Sequence, residues 1–386
     1  MNAPVDPIYL DYAATTPLRD EVRAAMEPYY AVQFGNPSSP HRWGRAARGA
    51  LEESRARIAE ALGARHRDVV FVRGGTESDN LAILGRAEAT RAAGGAPCIV
   101  TSATEHKAVL DAARSVAARG GRAVVLPVLR SGVIDLEALD RALDEHPCLV
   151  SLMWVNNETG VVQPVPEVAA RAAEAGVPVH TDAVQAVGKV PVHFERSGVA
   201  CLSVTGHKIY GPKSTGALLV HQDTPLDPRL HGGGQERGLR PGTQDVAGAV
   251  GLAEAVCLAV AEQAELMSRY ESLRQRLEGR LSAAIADLRI HGGDARRSPH
   301  VTNVGIANID GQMLTISLDL EGLAVSGGSA CQSGSTGGSH VLEAMYGDDA
   351  RSAIRFSFGR TTTDADVDRA ADIVIRVVER LRPHDG

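Results

Sequence analysis

Between residues 68 and 220 the chain alternates short apolar runs with stretches of helical spacing. No other feature constrains its fold as tightly. The apolar runs are Asp68–Val72, Cys98–Ser102, Arg122–Leu129, Leu149–Val155, Val177–Asp182, Cys201–Thr205 and Gly216–Val220. They do not alternate polar with apolar residues, as expected of strands covered on both faces. Helical patterns follow from about Thr76, from Glu105 to Arg119, from Leu136 to Asp144 and from Val165 to Ala175. Strand, helix, strand in succession predicts an α/β fold with a mainly parallel sheet and right-handed crossovers.

At 386 residues, and roughly 150 residues per domain, the chain is long enough for a second domain. The pattern turns strongly helical from about Ala247 to Leu288 and reads as one long bridging helix. Beyond it, Asn303–Ile309, Leu323–Val325 and Ala353–Phe358 read as short strands, and Asp364–Leu381 as the last helix. The expected division is a large domain over 16–262 and a smaller α+β domain built from 1–15 and 263–386.

Composition narrows the function classes. The net charge is −7 and aromatic residues are 4% of the chain, which argues against direct nucleic-acid binding and against an anionic membrane surface. No run approaches the roughly 18 apolar residues of a membrane span. The start, Met1-Asn-Ala-Pro-Val-Asp-Pro7, has no basic segment followed by an apolar one, so no signal peptide is expected. The five cysteines are scattered, with no CxxC or Cys/His cluster. Neither a disulfide framework nor a metal site is indicated, and a reducing, cytoplasmic setting fits.

In open α/β sheets, ligands collect at the carboxyl ends of the strands. Five of those ends carry residues with chemistry to offer. After the first run come Gly74, Gly75 and Thr76, where a helix start suits a phosphate, although such a pair also makes a plain turn. After the second comes His106, which could meet a ligand or simply begin a helix in solvent. After the fourth come Asn156 and Asn157, amides suited to a ligand or to an Asx-turn. Asp182 ends an apolar strand, where a carboxylate is costly unless paired. Its partner could be a protonated heterocycle nitrogen, or it could cap the next segment. After the sixth run come Thr205, Gly206, His207 and Lys208. The chain has four lysines, Lys107, Lys189, Lys208 and Lys213. Lys208 lies in a glycine-punctuated turn between apolar strands, a setting that can desolvate an amine as a Schiff-base lysine requires. Lys107 is its rival by position, but it lies at a helix start in the company of Glu105, while Lys189 and Lys213 flank proline-containing turns and read as surface lysines. Phosphate cradle, imidazole, amides, acid and lysine together match the needs of pyridoxal phosphate.

One segment stands apart. Residues 326–339 are rich in Gly and Ser and hold Cys331, whereas Cys98, Cys148, Cys201 and Cys257 lie in strand or helix patterns. A cysteine on such a loop can act as an exposed thiolate or be a casual surface residue.

Several motifs resemble those of the NifS/IscS-type cysteine desulfurases, which are class V aminotransferase-like, fold type I pyridoxal phosphate enzymes. The matching segments are Tyr9-Leu-Asp-Tyr-Ala-Ala-Thr-Thr16, Gly75-Thr-Glu-Ser-Asp-Asn80, Thr104-Glu-His-Lys107, Val155-Asn-Asn-Glu158 and Thr181-Asp-Ala-Val-Gln185. They continue through Gly206-His-Lys-Ile-Tyr-Gly-Pro-Lys213, His231-Gly-Gly-Gly-Gln-Glu-Arg237, Ser329-Ala-Cys331 and Arg355-Phe-Ser-Phe-Gly359. They keep the family order over nearly the whole chain.

The resemblance implies roles. Lys208 carries the cofactor, His106 lies over its ring and moves protons, and Asp182 pairs with the ring nitrogen. Gln185 and Asn157 contact the ring hydroxyl region. Gly75, Thr76, Thr205 and His207 hold the phosphate, and Thr243 reaches the cofactor of a neighbouring subunit, which implies a homodimer. Arg355, Asn157 and Asn36 bind the substrate L-cysteine at its carboxylate end. Cys331 accepts the sulfur as a persulfide, L-alanine leaves, and an acceptor protein takes the sulfur onward to cluster assembly, tRNA thiolation or another modification. Four departures stand out: Thr205 where Ser is usual, Gln332 after the cysteine, Gly337-Gly338 in place of Glu-Pro, and an ending at Arg382-Pro-His-Asp-Gly386 without the extended tail of some relatives.

Overall fold

A computed structural model of the chain describes residues 6–327, 338–349 and 352–382. The strands in chain order are β1 (Ile8–Tyr9), β2 (Val69–Val72), β3 (Cys98–Ser102), β4 (Arg122–Leu126), β5 (Leu149–Ser151), β6 (Val179–Asp182), β7 (Cys201–Thr205), β8 (Gly216–Val220), β9 (Arg289–Ile290), β10 (Val301–Ile306), β11 (Leu323–Ala324), β12 (Ser326–Gly327) and β13 (Ser352–Ser357).

β2 to β8 form a seven-stranded sheet in the order β2-β8-β7-β6-β5-β3-β4. The run β7-β6-β5-β3-β4 is parallel, while β8 is antiparallel to both β2 and β7. The expected mainly parallel sheet is therefore interrupted at one place. The turn from β7 to β8 is short, so β8 must run back beside β7. Because β8 reverses between β2 and β7, those two strands still end on the same edge as β3, β5 and β6. That edge gathers Gly74, His106, Asp182 and Lys208.

Burial follows the sequence pattern. Every residue of β3, β5, β6, β7 and β8 is buried, because helices cover both faces. Helix Arg42–Leu62, to which the apolar-run pattern assigns nothing, packs on helix Val246–Ala261. One cluster of buried side chains runs from Val22 to Val256, and a second joins Ile8 and Leu10 to residues between Tyr270 and Val378. The second core lies under a four-stranded antiparallel sheet, β12-β13-β10-β9, with β1 paired in parallel to β11 beside it.

The single long helix expected over 247–288 is two helices, Val246–Ala261 and Gln263–Ala284, bent by 67°. Neither Pro nor Gly makes the bend. Glu262 ends one helix and begins the next, and its carboxylate accepts from Arg19 and Arg360. The first helix is buried in one core and the second belongs to the other, so the two cores set their directions. Among the described residues no single helix is long and apolar enough to cross a membrane. None of their His, Cys, Asp and Glu side chains form a metal-binding group.

Candidate functional site

Gly74 and Gly75 open helix Gly75–Ala92, 18 residues long. Gly74 sits at φ 119°, a conformation that side-chain-bearing residues rarely adopt. Its Cα lies 2.7 Å from where a Cβ on Gly216 would stand, so strand β8 presses directly against the helix start. Thr76, in the first turn of this helix, is exposed, and the first turn of a helix has N–H groups without intrahelical partners.

His106 begins a helix, as one of its two readings expects, but it is half-buried rather than in solvent. It is the N-cap of helix Lys107–Ala118, its Nδ1 accepting from the Ala108 N–H at 3.2 Å. Nε2 is thereby left to carry the proton of the neutral ring. Burial lowers its pKa and Lys208 lowers it further, while Asp182 opposes both. The imidazole is therefore neutral at neutral pH, between an acid and an amine.

Three acids lie buried under this edge: Asp79, Glu105 and Asp182. Burial raises the pKa of each. Asp182 differs in facing His106 and Lys208 and in accepting the Val184 N–H at 2.9 Å. Its proximity also raises the pKa values of Asp79 and Glu105, adding to the effect of their burial. Glu105 accepts the Met153 N–H at 2.8 Å through Oε1. Beneath them, His180 bridges Ser151 and Ser203 through its two nitrogens, both at 2.9 Å, and burial lowers its pKa to about 3.

The Lys208 amine donates to the main-chain carbonyls of Ala13 and Ala14 at 2.8 and 2.7 Å. Gln185 is buried and donates through Nε2 to the same Ala13 carbonyl at 2.9 Å. His207 meets the Thr15 hydroxyl at 3.2 Å, and burial, with Lys208 next, lowers its pKa to about 4. Thr205 is buried and donates to the Thr215 carbonyl at 3.1 Å. The segment Tyr9–Thr16 thus forms one wall of the site through its backbone.

Arg355 reaches the site from β13. Its guanidinium donates to Asp11 Oδ1 at 2.7 Å and to the Asn157 carbonyl at 2.8 Å, while the buried Nε has no partner among the described residues. Of the two amides, Asn156 makes the Asx-turn, accepting from the Glu158 and Thr159 N–H groups, and Asn157 is half-buried beside Arg355. Two elements flanking the 328–337 segment also end here. Ser326 pairs with Arg355. On the far side Ser339 donates to Glu158 at 2.5 Å, and His340 donates to the Glu105 carbonyl at 2.9 Å.

Not every expected residue joins this group. Asn36 is exposed, and its Oδ1 accepts the Ser38 N–H at 2.9 Å in a local turn. Thr243 is exposed on the 238–245 segment. Neither has a described contact with Lys208, Asp182 or Arg355. Cys331 lies outside the described residues. Lys189 requires a correction: it is buried, 8% exposed, rather than a surface lysine. The adjoining turn packs inward on helix Val246–Ala261, where Gly188 lies against Ala259. Asp11 and Asp79 lie within matching motifs without a role assigned to them, and His300 lies in none. A signal for Lys189 is present in its i+4 spacing from Gln185, which puts both on one side of the turn.

The class-V aminotransferase family model matches residues 8–370. A cysteine desulfurase IscS of Dictyoglomus turgidum is 42% identical over 377 residues, covering 97% of this chain and 95% of its own. A solved structure of a NifS-like protein superimposes with a TM-score of 0.90 at 35% identity, covering 97% of this chain and 100% of the other. Another, described as SspA in complex with cysteine, has a TM-score of 0.79 at 32% identity, with 91% and 98% covered. With an α/β sheet of this topology and these residues on its edge, the chain belongs to the class-V aminotransferase family, among the cysteine desulfurases of the NifS and IscS type.

Proposed function

We propose that the chain holds pyridoxal 5'-phosphate at Lys208 and uses it to move the sulfur of L-cysteine onto Cys331, releasing L-alanine. The observation that carries this reading is the Lys208 amine, held on two backbone carbonyls within electrostatic reach of His106 and Asp182. The residues present fit the cofactor. Asp182 is a buried carboxylate suited to a protonated ring nitrogen, and the glycine-lined start of helix Gly75–Ala92 suits a phosphate. Gly75, Thr76, Thr205 and His207 would hold that phosphate, and Gln185 and Asn157 would face the ring hydroxyl.

When bound, the cofactor draws electron density from the substrate α-carbon and makes its proton acidic. Lys208 Nζ takes and returns that proton. Neutral His106 presents an Nε2–H for proton transfer on the other side. Arg355 clamps the substrate carboxylate, its guanidinium held in orientation by Asp11 and the Asn157 carbonyl. Asn36 would complete that subsite. The Cys331 thiolate attacks the substrate sulfur: the new S–S bond forms as the substrate carbon–sulfur bond breaks. The carbon fragment takes a proton and leaves as alanine. Both described ends of the segment bearing Cys331 lie at this site, at Arg355 and at Glu105.

The remaining assignments rest on the same reading. The two cores support a large domain over 16–262 and a small one from 1–15 and 263–386. Exposed Thr243 suits a role in a partner subunit of a homodimer. A persulfide implies an acceptor protein, and the unpaired Cys98, Cys148, Cys201 and Cys257 suit a cytoplasmic setting.

The test is mass spectrometry after incubating the cofactor-loaded protein with L-cysteine. One additional sulfur on Cys331, with alanine as product, is expected. Pyruvate as product, or sulfur turnover persisting in Cys331→Ser, refutes the reading.

A further inference from the structure

Two buried side chains behind Lys208, Lys189 and His300, take no part in the roles above. Lys189 Nζ donates to Gln185 Oε1 at 3.2 Å. His300 Nε2 meets the same oxygen at 3.3 Å, and its Nδ1 meets the Ser298 hydroxyl at 2.7 Å. Both side chains are buried. Gln185 Nε2 then donates to the Ala13 carbonyl, which also accepts from Lys208. One unbroken path of hydrogen bonds therefore runs Lys189, Gln185, Ala13, Lys208.

An amide can usually turn over and exchange its oxygen for its nitrogen. Here it cannot do so without loss. His300 is surrounded by Lys189, Arg355, Arg274 and Lys208, and burial with these charges keeps it neutral. Ser298 can donate to its Nδ1, leaving Nε2–H to point at Gln185. Two donors on one side demand an oxygen, so the NH2 end must face Ala13 and the site. Reversal would set N–H against N–H in a dry interior.

We propose that Lys189 is a positioning residue: with His300 it locks the Gln185 amide with its N–H toward the Lys208 centre, and so lowers the proton affinity of the Lys208 nitrogen. The groups facing Lys189 are Gln185, His300, Lys208 and Arg355, with Arg19, Arg360, Glu262, Tyr12, Tyr210 and Tyr270 lining the same cavity. A buried amine on this spot is otherwise unexplained. Burial, then Lys208 and Arg355, bring its pKa down to about 7, so the fold sustains a cost that an apolar residue would avoid. The inference rests on the cofactor reading above.

The experiment is a pH titration of the visible absorption of the pyridoxal-phosphate-loaded protein. Wild type, Lys189→Met, Gln185→Ala and the double variant are compared. Removing the Gln185 N–H, or the Lys189 donor that fixes its direction, favours the protonated Lys208 nitrogen. Each single variant should raise the titration midpoint by about 0.5–1 pH unit, a three- to tenfold gain in proton affinity. The double variant should shift no further than Gln185→Ala alone, because Lys189 acts through Gln185. An unchanged midpoint in Lys189→Met, or additive shifts in the double variant, overturns the proposal. Should Lys189→Met not fold, Lys189→Ala replaces it: a raised midpoint is again expected, and an unchanged one again overturns the proposal. A wild-type protein that gains no visible band with the cofactor instead refutes the reading on which the inference stands.

Discussion

Lys189 shows how far a single side chain can depart from its local setting. Beside Val190-Pro191 it looks like a surface residue, yet it is enclosed between the two cores. Its pKa falls from 10.5 to about 7 on folding. The unfolded chain binds this proton more tightly, so stability is lost as pH falls from about 10.5 toward about 7 and the full cost is present below that. Lys189→Met should therefore melt higher than wild type at pH 7 in the cofactor-free protein. Its advantage should fade as pH approaches 10.5. Thermal melts of both proteins across that range check the trend, and an advantage that grows with pH contradicts it. The same residue would then cost stability while ordering the site, a common trade between the two. At Lys208 the expectation is simpler: Lys208→Ala should bind pyridoxal phosphate without the visible band of the wild type, and a retained band would place the covalent link elsewhere.

Among the elements, the junction of β8 with the start of helix Gly75–Ala92 is the most tightly specified. A Cβ on Gly216 would stand 2.6 Å from the Val204 carbonyl and 2.7 Å from Gly74 Cα. Both are backbone atoms that cannot swing aside. Gly216→Ala should therefore destabilise the fold by about 2 kcal/mol or more and weaken phosphate retention with it. Denaturant unfolding and the cofactor dissociation constant measure the two effects, and no change in either would show that the strand can retreat from the helix. The last helix offers a milder control remote from the site. Thr363 and Asp366 form a capping box at Asp364–Leu381. Thr363→Ala should cost about 1 kcal/mol and leave the visible spectrum unchanged.

For the whole molecule, four buried or half-buried imidazoles shape the response to acid. His106, His180, His207 and His300 all have pKa values below the usual 6.5, through burial first. Each contributes stability that is complete above about 6.5 and is lost as pH falls toward the folded value, near 3 for His180 and near 4 for His207. Asp79, Glu105 and Asp182 work in the opposite sense: their raised values favour the fold in acid, and that contribution is lost as pH rises through their folded pKa values. His180→Asn, which keeps polar contacts with Ser151 and Ser203, should flatten the loss of stability between pH 6.5 and 4. Equal slopes for variant and wild type in that window would assign the acid response to other groups.

The sequence alone was enough for the strand–helix alternation, for the sheet edge it creates and for Gly75, His106, Asp182 and Lys208 upon it. These residues lie at or a few positions past the ends of their strands, so local pattern and parallel topology place them together. Tertiary structure decided the rest. The clamp of Arg355 by Asp11 joins residues 344 positions apart, the bend at Glu262 answers to two separate cores, and the burial of Lys189 comes from helix Val246–Ala261 packing over its turn. Pairing and desolvation of this kind depend on which distant elements meet, and no local periodicity records that.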